Sequence, residues 1–271
     1  MRSTFIGGGN MASAIIGGLV RRGARAADVR VVEPAVAKRK QLSDRFPGIH
    51  VHAGADAEAV GGADIVVMAV KPQHMQDAAR QLSPFIGDVP LVLTIAAGVR
   101  CGDLGRWLGG YGRIVRAMPN TPALIGAGIS GLYATSDVRA HAGCAVEVLE
   151  ACGEVVWCEA ERDLDAVTGV SGSGPAYVFY FLEALERAAR ELGLGAPEAR
   201  RLAYATFAGS IALAQQSTDP PATLRANVTS RGGTTARALE VLDAARVSEH
   251  FVAAVKAAAA RAAELGDEIA R

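Results

Sequence analysis

The chain has no surplus of charge: 28 Lys and Arg balance 28 Asp and Glu. Binders of nucleic acid or of anionic membranes need a net basic footprint, so neither is expected as the main role. Lysine is scarce, with none between Lys71 and Lys256. Cysteine is scarce as well: Cys101, Cys144, Cys152 and Cys158 form no C-x-x-C pair, and the close pair Cys152 and Cys158 brackets a predicted strand. Such thiols read as buried and reduced, in a cytoplasmic protein. His50, His52, His74, His141 and His250 are scattered and suggest no metal site. Long hydrophobic runs are missing too. The uncharged stretches Thr4–Val20, Ala117–Ser136 and Ala166–Leu182 are each interrupted by glycines together with Asn, Pro or Ser, whereas a spanning helix wants about twenty predominantly apolar residues. The first follows only Arg2 and lacks a compact apolar core before a cleavage site. An unanchored protein is expected.

What is present is core material: 50% of the 271 residues are hydrophobic, enough for one large domain or two smaller ones. The chain opens with a short apolar strand, the turn Gly7-x-Gly9-x-x-Ala12, and then an apolar-periodic helix. This is the dinucleotide fingerprint in its G-x-G-x-x-A form and in the required strand-turn-helix context. Gly7 permits the tight turn, Gly9 lets a pyrophosphate approach the backbone, and Ala12 lets helix and strand pack closely. The phosphates would face the helix N-terminus. Ile6, Gly7, Gly8, Gly9, Asn10 and Met11 are therefore the first cofactor-binding candidates.

Strand and helix patterns alternate through the first half, as in a parallel sheet with crossover helices. The strand candidates are Phe5–Gly7, Val29–Val32, Ile65–Val70, Leu91–Ile95 and Ile114–Met118, followed by Gly131–Ala134 and Val155–Cys158. Helical stretches run near Met11–Arg22, Ala35–Arg45, Met75–Leu82, Asp103–Leu108 and Arg139–Cys152. After Glu161 strand signals disappear, and apolar periodicity runs through Pro175–Leu192, Pro197–Gln216, Thr234–Ala245 and Ser248–Ile269. The expected architecture is an α/β Rossmann-like dinucleotide-binding domain over residues 1–162, followed by an all-α C-terminal domain over residues 163–271. Within Pro175–Leu192, the run from Tyr177 to Leu182 is apolar almost all the way around, so it needs cover on every side. In so small a helical domain a second subunit is the expected source, and the alternative is the central helix of a monomer.

Between two alanine-rich helical stretches lies Asn227-Val228-Thr229-Ser230-Arg231-Gly232-Gly233-Thr234-Thr235, a polar, glycine-hinged turn. Gly232 and Gly233 let backbone approach a ligand, while Ser230, Thr234 and Thr235 set hydroxyls beside backbone N–H groups at a helix start. Such a cluster suits a small carboxylate, and the alternative is an ordinary N-cap. Glu33 ends the second strand, where an acid bonds the adenosine ribose hydroxyls and repels a 2′-phosphate. Lys38 and Arg39 follow within a turn of helix and attract a phosphate, so NADH and NADPH both stand as cofactors, with a slight lean to NADH.

Several further blocks accompany these. They are Ala69-Val70-Lys71-Pro72, Ala96-Ala97-Gly98-Val99, Arg116-Ala117-Met118-Pro119-Asn120-Thr121-Pro122 and Gly169-Val170-Ser171-Gly172-Ser173-Gly174-Pro175-Ala176-Tyr177. Together with the two glycine turns, and in this order across essentially the whole chain, they resemble pyrroline-5-carboxylate reductase. The resemblance implies hydride transfer from NAD(P)H to 1-pyrroline-5-carboxylate, giving L-proline in the last step of its biosynthesis. It implies that the helical half is a dimerisation domain, with decamers in some members. It adds Ala69, Val70, Lys71, Pro72, Ala96, Ala97 and Asn227 to the cofactor-binding candidates, and on base rates alone Lys71 is a solvated lysine. Ser230, Gly232, Gly233, Thr234 and Thr235 are the implied carboxylate site, with the Thr235 hydroxyl as the catalytic candidate beside the ring nitrogen. Arg231, Pro220, Ala226 and Asp56 depart from the family pattern. A β-hydroxyacid-dehydrogenase-like oxidoreductase remains an alternative, but it needs a catalytic lysine or comparable acid-base residue on the long helix, and no lysine occurs between Lys71 and Lys256. A non-catalytic dinucleotide-binding protein is the other alternative.

Overall fold

The computed structural model describes residues 1–270. In chain order the strands are β1 (Ser3–Ile6), β2 (Val29–Val32), β3 (His50–His52), β4 (Ile65–Met68), β5 (Val92–Thr94), β6 (Ile114–Met118), β7 (Gly128–Tyr133) and β8 (Gly153–Trp157). The helices among them are α1 (Asn10–Arg21), α2 (Val36–Arg45), α3 (Ala57–Val60), α4 (Met75–Leu82), α5 (Cys101–Trp107), α6 (Ser136–Arg139), α7 (Gly143–Glu150) and α8 (Asp163–Val167). Then follow α9 (Gly174–Glu191), α10 (Ala196–Gln216), α11 (Pro221–Asn227), α12 (Thr234–Ala244) and α13 (Val247–Ile269).

All eight strands join one sheet in the order β3-β2-β1-β4-β5-β6-β7-β8. Every pairing is parallel except β6 with β7, where Arg116 lies opposite Tyr133. Strand residues alternate between two buried clusters. Phe5, Val31, Val67, Leu93 and Val115 meet Ile15, Ile16 and Leu19 of α1, Leu42 of α2 and Val148 and Leu149 of α7. Ile6, Val32, Val66, Met68, Val92 and Ile114 face Met75, Ala79 and Leu82 of α4 and Leu104 of α5. Burial on both faces explains why β4 reads as an unbroken apolar run, with no alternation. The chain winds outward from β1 to β3 and then returns to β4 on the other side of β1. That reversal is the switch point at which open α/β sheets bind ligands.

By internal packing the chain divides into a sheet unit, Met1–Ser173 together with the chain from Ala257 onward, and a helical unit, Gly174–Lys256. The observed fold class is therefore the expected Rossmann-like sheet followed by helices. Several details differ from the sequence reading. β3 was not foreseen, because an edge strand of three residues with histidine at both ends carries no apolar pattern. β7 begins at Gly128, ahead of the expected Gly131, and the single helix expected over 139–152 is two, α6 and α7. The block Gly169–Tyr177 is not one element: Gly174 onward belongs to α9, and Gly169–Gly172 lie in a π-helical turn over Thr168–Gly172, which follows α8 directly. In it Thr168 and Ser171 hydroxyls donate to the carbonyls of Leu164 and Val167 at 2.7 and 3.1 Å. Among the described residues no helix is long and apolar enough to cross a membrane.

Candidate active site

The carboxyl ends of the central strands build a cradle. Gly7 N–H donates to the Val32 carbonyl at 2.8 Å and Ala69 N–H to the Ile6 carbonyl at 2.8 Å, so the first turn is tied to β2 and to β4 at once. Gly7 has φ +99°, and a Cβ there would lie 2.9 Å from both the Ala69 oxygen and Val70 Cγ1. Only glycine fits that position. Gly9 is the opposite case: it caps α1 in an extended conformation, and nothing lies within 4 Å of where its Cβ would be. That open side of the turn faces the N-terminus of α1, whose first N–H groups, at Asn10, Met11 and Ala12, have no partner within the helix. Space at Gly9, N–H groups without intrahelical partners and the positive end of the dipole together fit a pyrophosphate.

Glu33 stands one residue past β2 and is only 6% exposed. Its Oε2 accepts from Gly8 N–H at 3.2 Å and its Oε1 from Ala35 N–H at 3.0 Å. The acid is therefore part of the cradle wall, with both oxygens fixed by backbone donors. Arg39 turns its guanidinium onto the carbonyls of Glu33 and Pro34 at 2.9 and 2.6 Å. Lys38 is exposed.

At the next strand ends, Ala69 and Val70 touch the Gly7 turn, as above. Lys71 is exposed at the cap of the 3-10 turn Pro72–His74, with Pro72 half-buried in its first position. Ala96 is buried and Ala97 half-buried in the loop after β5, where the Thr94 hydroxyl accepts from Ala96 N–H at 3.4 Å. Asn120 is buried and its Oδ1 accepts from Ile129 N–H at 3.0 Å, bracing the Met118–Pro122 turn against β7.

In the helical unit the candidate carboxylate turn is compact. Gly232 takes φ +71°, Gly233 N–H donates to the Ser230 carbonyl at 3.0 Å, and Gly233 then caps α12 in an extended conformation. Thr234 and Thr235 open the helix, Thr235 half-buried and Thr234 exposed, and Ser230 is exposed on the approach. No side chain caps α12. Its first N–H groups have no intrahelical partner, and these are the donors an anion needs. Asn227 is the last residue of α11 and exposed, and Arg231 is exposed within the turn. Among the described residues no group of His, Cys, Asp and Glu is arranged to hold a metal.

Two charged groupings beside the cradle escaped the sequence reading. Arg116 of β6 is 4% exposed and faces Glu161 at 3.3 Å and Asp165 at 3.6 Å. Glu161 also accepts from Cys101 N–H at 2.7 Å. Arg100 reaches Asp267 at 2.7 Å. An arginine in the middle of an apolar strand pattern was the one available signal.

Residues 161–265 match the family model described as pyrroline-5-carboxylate reductase dimerisation. Residues 2–98 match that described as NADP oxidoreductase coenzyme F420-dependent. The chain is 42% identical over 270 residues to pyrroline-5-carboxylate reductase of Pseudomonas aeruginosa, covering 99% of this chain and 98% of that one. The solved pyrroline-5-carboxylate reductase of Coxiella burnetii superposes with a TM-score of 0.90 at 37% identity, over 97% of this chain and 98% of that one. Pyrroline carboxylate reductase of Plasmodium falciparum, solved with NADP bound, superposes at 0.84 and 27% identity over 98% of each chain.

Proposed function

The chain belongs to the pyrroline-5-carboxylate reductase family, and we infer that it reduces 1-pyrroline-5-carboxylate to L-proline at the expense of NADH or NADPH. The observation that carries this reading is the intact cradle from Gly7 to Ala12 in a chain 42% identical to such an enzyme from end to end.

The substrate is a small cyclic imine bearing one carboxylate. NAD(P)H, when bound, supplies the hydride that reduces the C=N carbon. The Gly7–Ala12 turn and α1 hold its pyrophosphate, Glu33 its adenosine ribose, and Ala69–Pro72 with Ala96 and Ala97 line its remaining length. Asn227 contributes a further polar contact. In the helical unit, backbone N–H groups and hydroxyls of Ser230, Gly232, Gly233 and Thr234 bind the substrate carboxylate. The Thr235 hydroxyl contacts the ring nitrogen and helps hold the proton that this nitrogen keeps in the amine product. A protonated imine is already electrophilic, so orientation supplies much of the acceleration and little acid-base machinery is required.

The fixed Glu33 carboxylate supports NADH as the better donor, because it would stand against a 2′-phosphate. The helical unit is a dimerisation domain. Its exposed apolar surface, Phe179 at 63% and Tyr180 at 70% exposure on α9, supports a dimer closed through that unit, and a decamer would be assembled from such dimers. Incubating purified protein with 1-pyrroline-5-carboxylate and either reduced dinucleotide, then assaying proline, tests the reaction. No proline with either donor defeats it.

A further inference from the structure

The loop after β5, Ala96 to Cys101, is pinned in two places by residues that the reaction does not otherwise use. At its far end Glu161 accepts from Cys101 N–H at 2.7 Å and is itself held by the buried Arg116. One residue earlier, Arg100 donates to Asp267 Oδ1 at 2.7 Å and to the Ala263 carbonyl at 3.4 Å, both on the last turns of α13. Those turns, from Ala257 on, belong to the sheet unit. Two glycines make the approach close. Gly98, at φ +76°, would set a Cβ 2.9 Å from Ile269 Cδ1 and 3.4 Å from Gly266 N. Gly266 in turn would set a Cβ 3.1 to 3.3 Å from the Arg100 guanidinium. Ile269 packs on the core beneath the loop.

The sheet order says what this loop borders. Glu33, at the end of β2, marks the adenosine end of the cradle, and β5 lies three strand spacings away, about 14 Å, beyond β1 and β4. The loop after β5 therefore stands at the far end of a bound dinucleotide, beside the ring that gives up hydride.

We propose that the Arg100–Asp267 clamp, seated on the Gly98–Gly266 contact, is a positioning device. The C-terminal turns of α13 fix the Ala96–Gly98 loop against the nicotinamide ring. The clamp rests on the reading of Ala96 and Ala97 as cofactor contacts. Arg100 and Asp267 touch no reacting atom; they act through the loop.

The test compares two ligands by isothermal titration on the full-length protein: reduced dinucleotide, and ADP-ribose, which lacks the nicotinamide ring. Asp267→Ala is expected to weaken the reduced dinucleotide about two- to fivefold, the range that partly exposed ion pairs span, and to leave ADP-ribose unchanged. Asp267→Glu restores the wild-type value. Gly266→Ala, whose new methyl displaces the Arg100 guanidinium, gives the same selective loss by a different route. Asp267 is exposed, so its thermal midpoint should stay at the wild-type value. Equal weakening of both ligands, or no change in either, overturns the clamp. If Asp267→Ala shows this selective loss while the wild-type protein makes no proline, the proposed reaction fails and the clamp stands. Binding of neither ligand overturns both.

Discussion

The Glu33 carboxylate and the Gly8 N–H lie 3.2 Å apart, so the acid at the end of β2 also braces the glycine turn that leads into α1. Replacing Glu33 with alanine would leave the half-buried Gly8 and the exposed Ala35 N–H groups without their acceptor. Glu33→Gln is the cleaner probe, since it keeps one carbonyl acceptor and removes the charge. Its expected effect is a roughly tenfold rise in the NADPH to NADH ratio of kcat/KM, about 1–2 kcal/mol of relieved repulsion. An unaltered ratio would show that selectivity resides elsewhere, with Arg39 the next residue to examine.

Gly7 and Gly9 separate folding from binding. Gly7→Ala forces a Cβ to 2.9 Å from the Ala69 carbonyl at a positive φ, which costs about 2 kcal/mol and lowers Tm by roughly 4–8 °C. Gly9→Ala meets no protein atom within 4 Å, so Tm should hold. Its methyl occupies the space reserved for phosphate, and dinucleotide affinity should fall at least about tenfold. Thermal melts with dinucleotide titrations on both variants check the contrast. A Gly9→Ala protein with normal affinity would remove the pyrophosphate from this turn.

The parts of the molecule visible in the sequence are those whose signal is local. The β1 to α1 turn shows itself because three small residues sit at fixed spacing before an apolar helix, and α9 because six consecutive residues from Tyr177 to Leu182 are apolar. The α11 helix was hidden because Pro220 and Pro221 suggest a turn and its seven residues carry no periodic apolar face. The clamps were hidden for a different reason. Arg116 and Glu161 are 45 residues apart and Arg100 and Asp267 are 167 apart, so no pattern along the chain joins them. Strand position put Glu33 at the end of β2, yet its bond to Gly8 needed coordinates.

Thr235 opens α12 half-buried, one residue past the exposed Thr234, and is the hydroxyl assigned to the ring nitrogen. Thr235→Ala is expected to lower kcat about ten- to hundredfold, the worth of one hydrogen bond to a charged group. Thr235→Ser should retain most of the rate, and KM for the dinucleotide should move little in either. Turnover by Thr235→Ala equal to wild type would remove the residue from the chemistry.

The α9 surface makes a claim about assembly. Phe179 and Tyr180 expose apolar rings, while Tyr177, Phe181 and Phe251 pack on one another with centroids 5.6 to 5.7 Å apart. An exposed aromatic flank beside such a cluster is the pattern of a surface that a partner covers. Phe179→Glu would place a charge in that contact and cost at least about 2 kcal/mol, weakening self-association roughly thirtyfold or more. Light scattering at micromolar concentration should then report monomer for the variant and dimer or larger for the parent. A parent protein that is monomeric under those conditions contradicts the covered-face argument.

The four cysteines bear on pH. Burial pushes the Cys101 thiol far above the ordinary thiol range, and the neighbouring Glu161 carboxylate pushes the same way. Burial likewise raises Cys144, Cys152 and Cys158. A pKa raised in the folded state means that the unfolded chain loses its thiol protons first. The linked stability is therefore complete below the ordinary thiol pKa of about 8.5 and is lost as pH climbs from there toward the folded-state values. Two outcomes are expected. Iodoacetamide at pH 8 should leave Cys101 unmodified in the native protein and label it in urea, with activity unaffected by native treatment. Tm should fall between pH 8 and pH 10, less steeply for Cys101→Ala than for the parent. Rapid native labelling of Cys101 would mean that its thiol meets solvent, and that the loop it begins is looser than its bond to Glu161 implies.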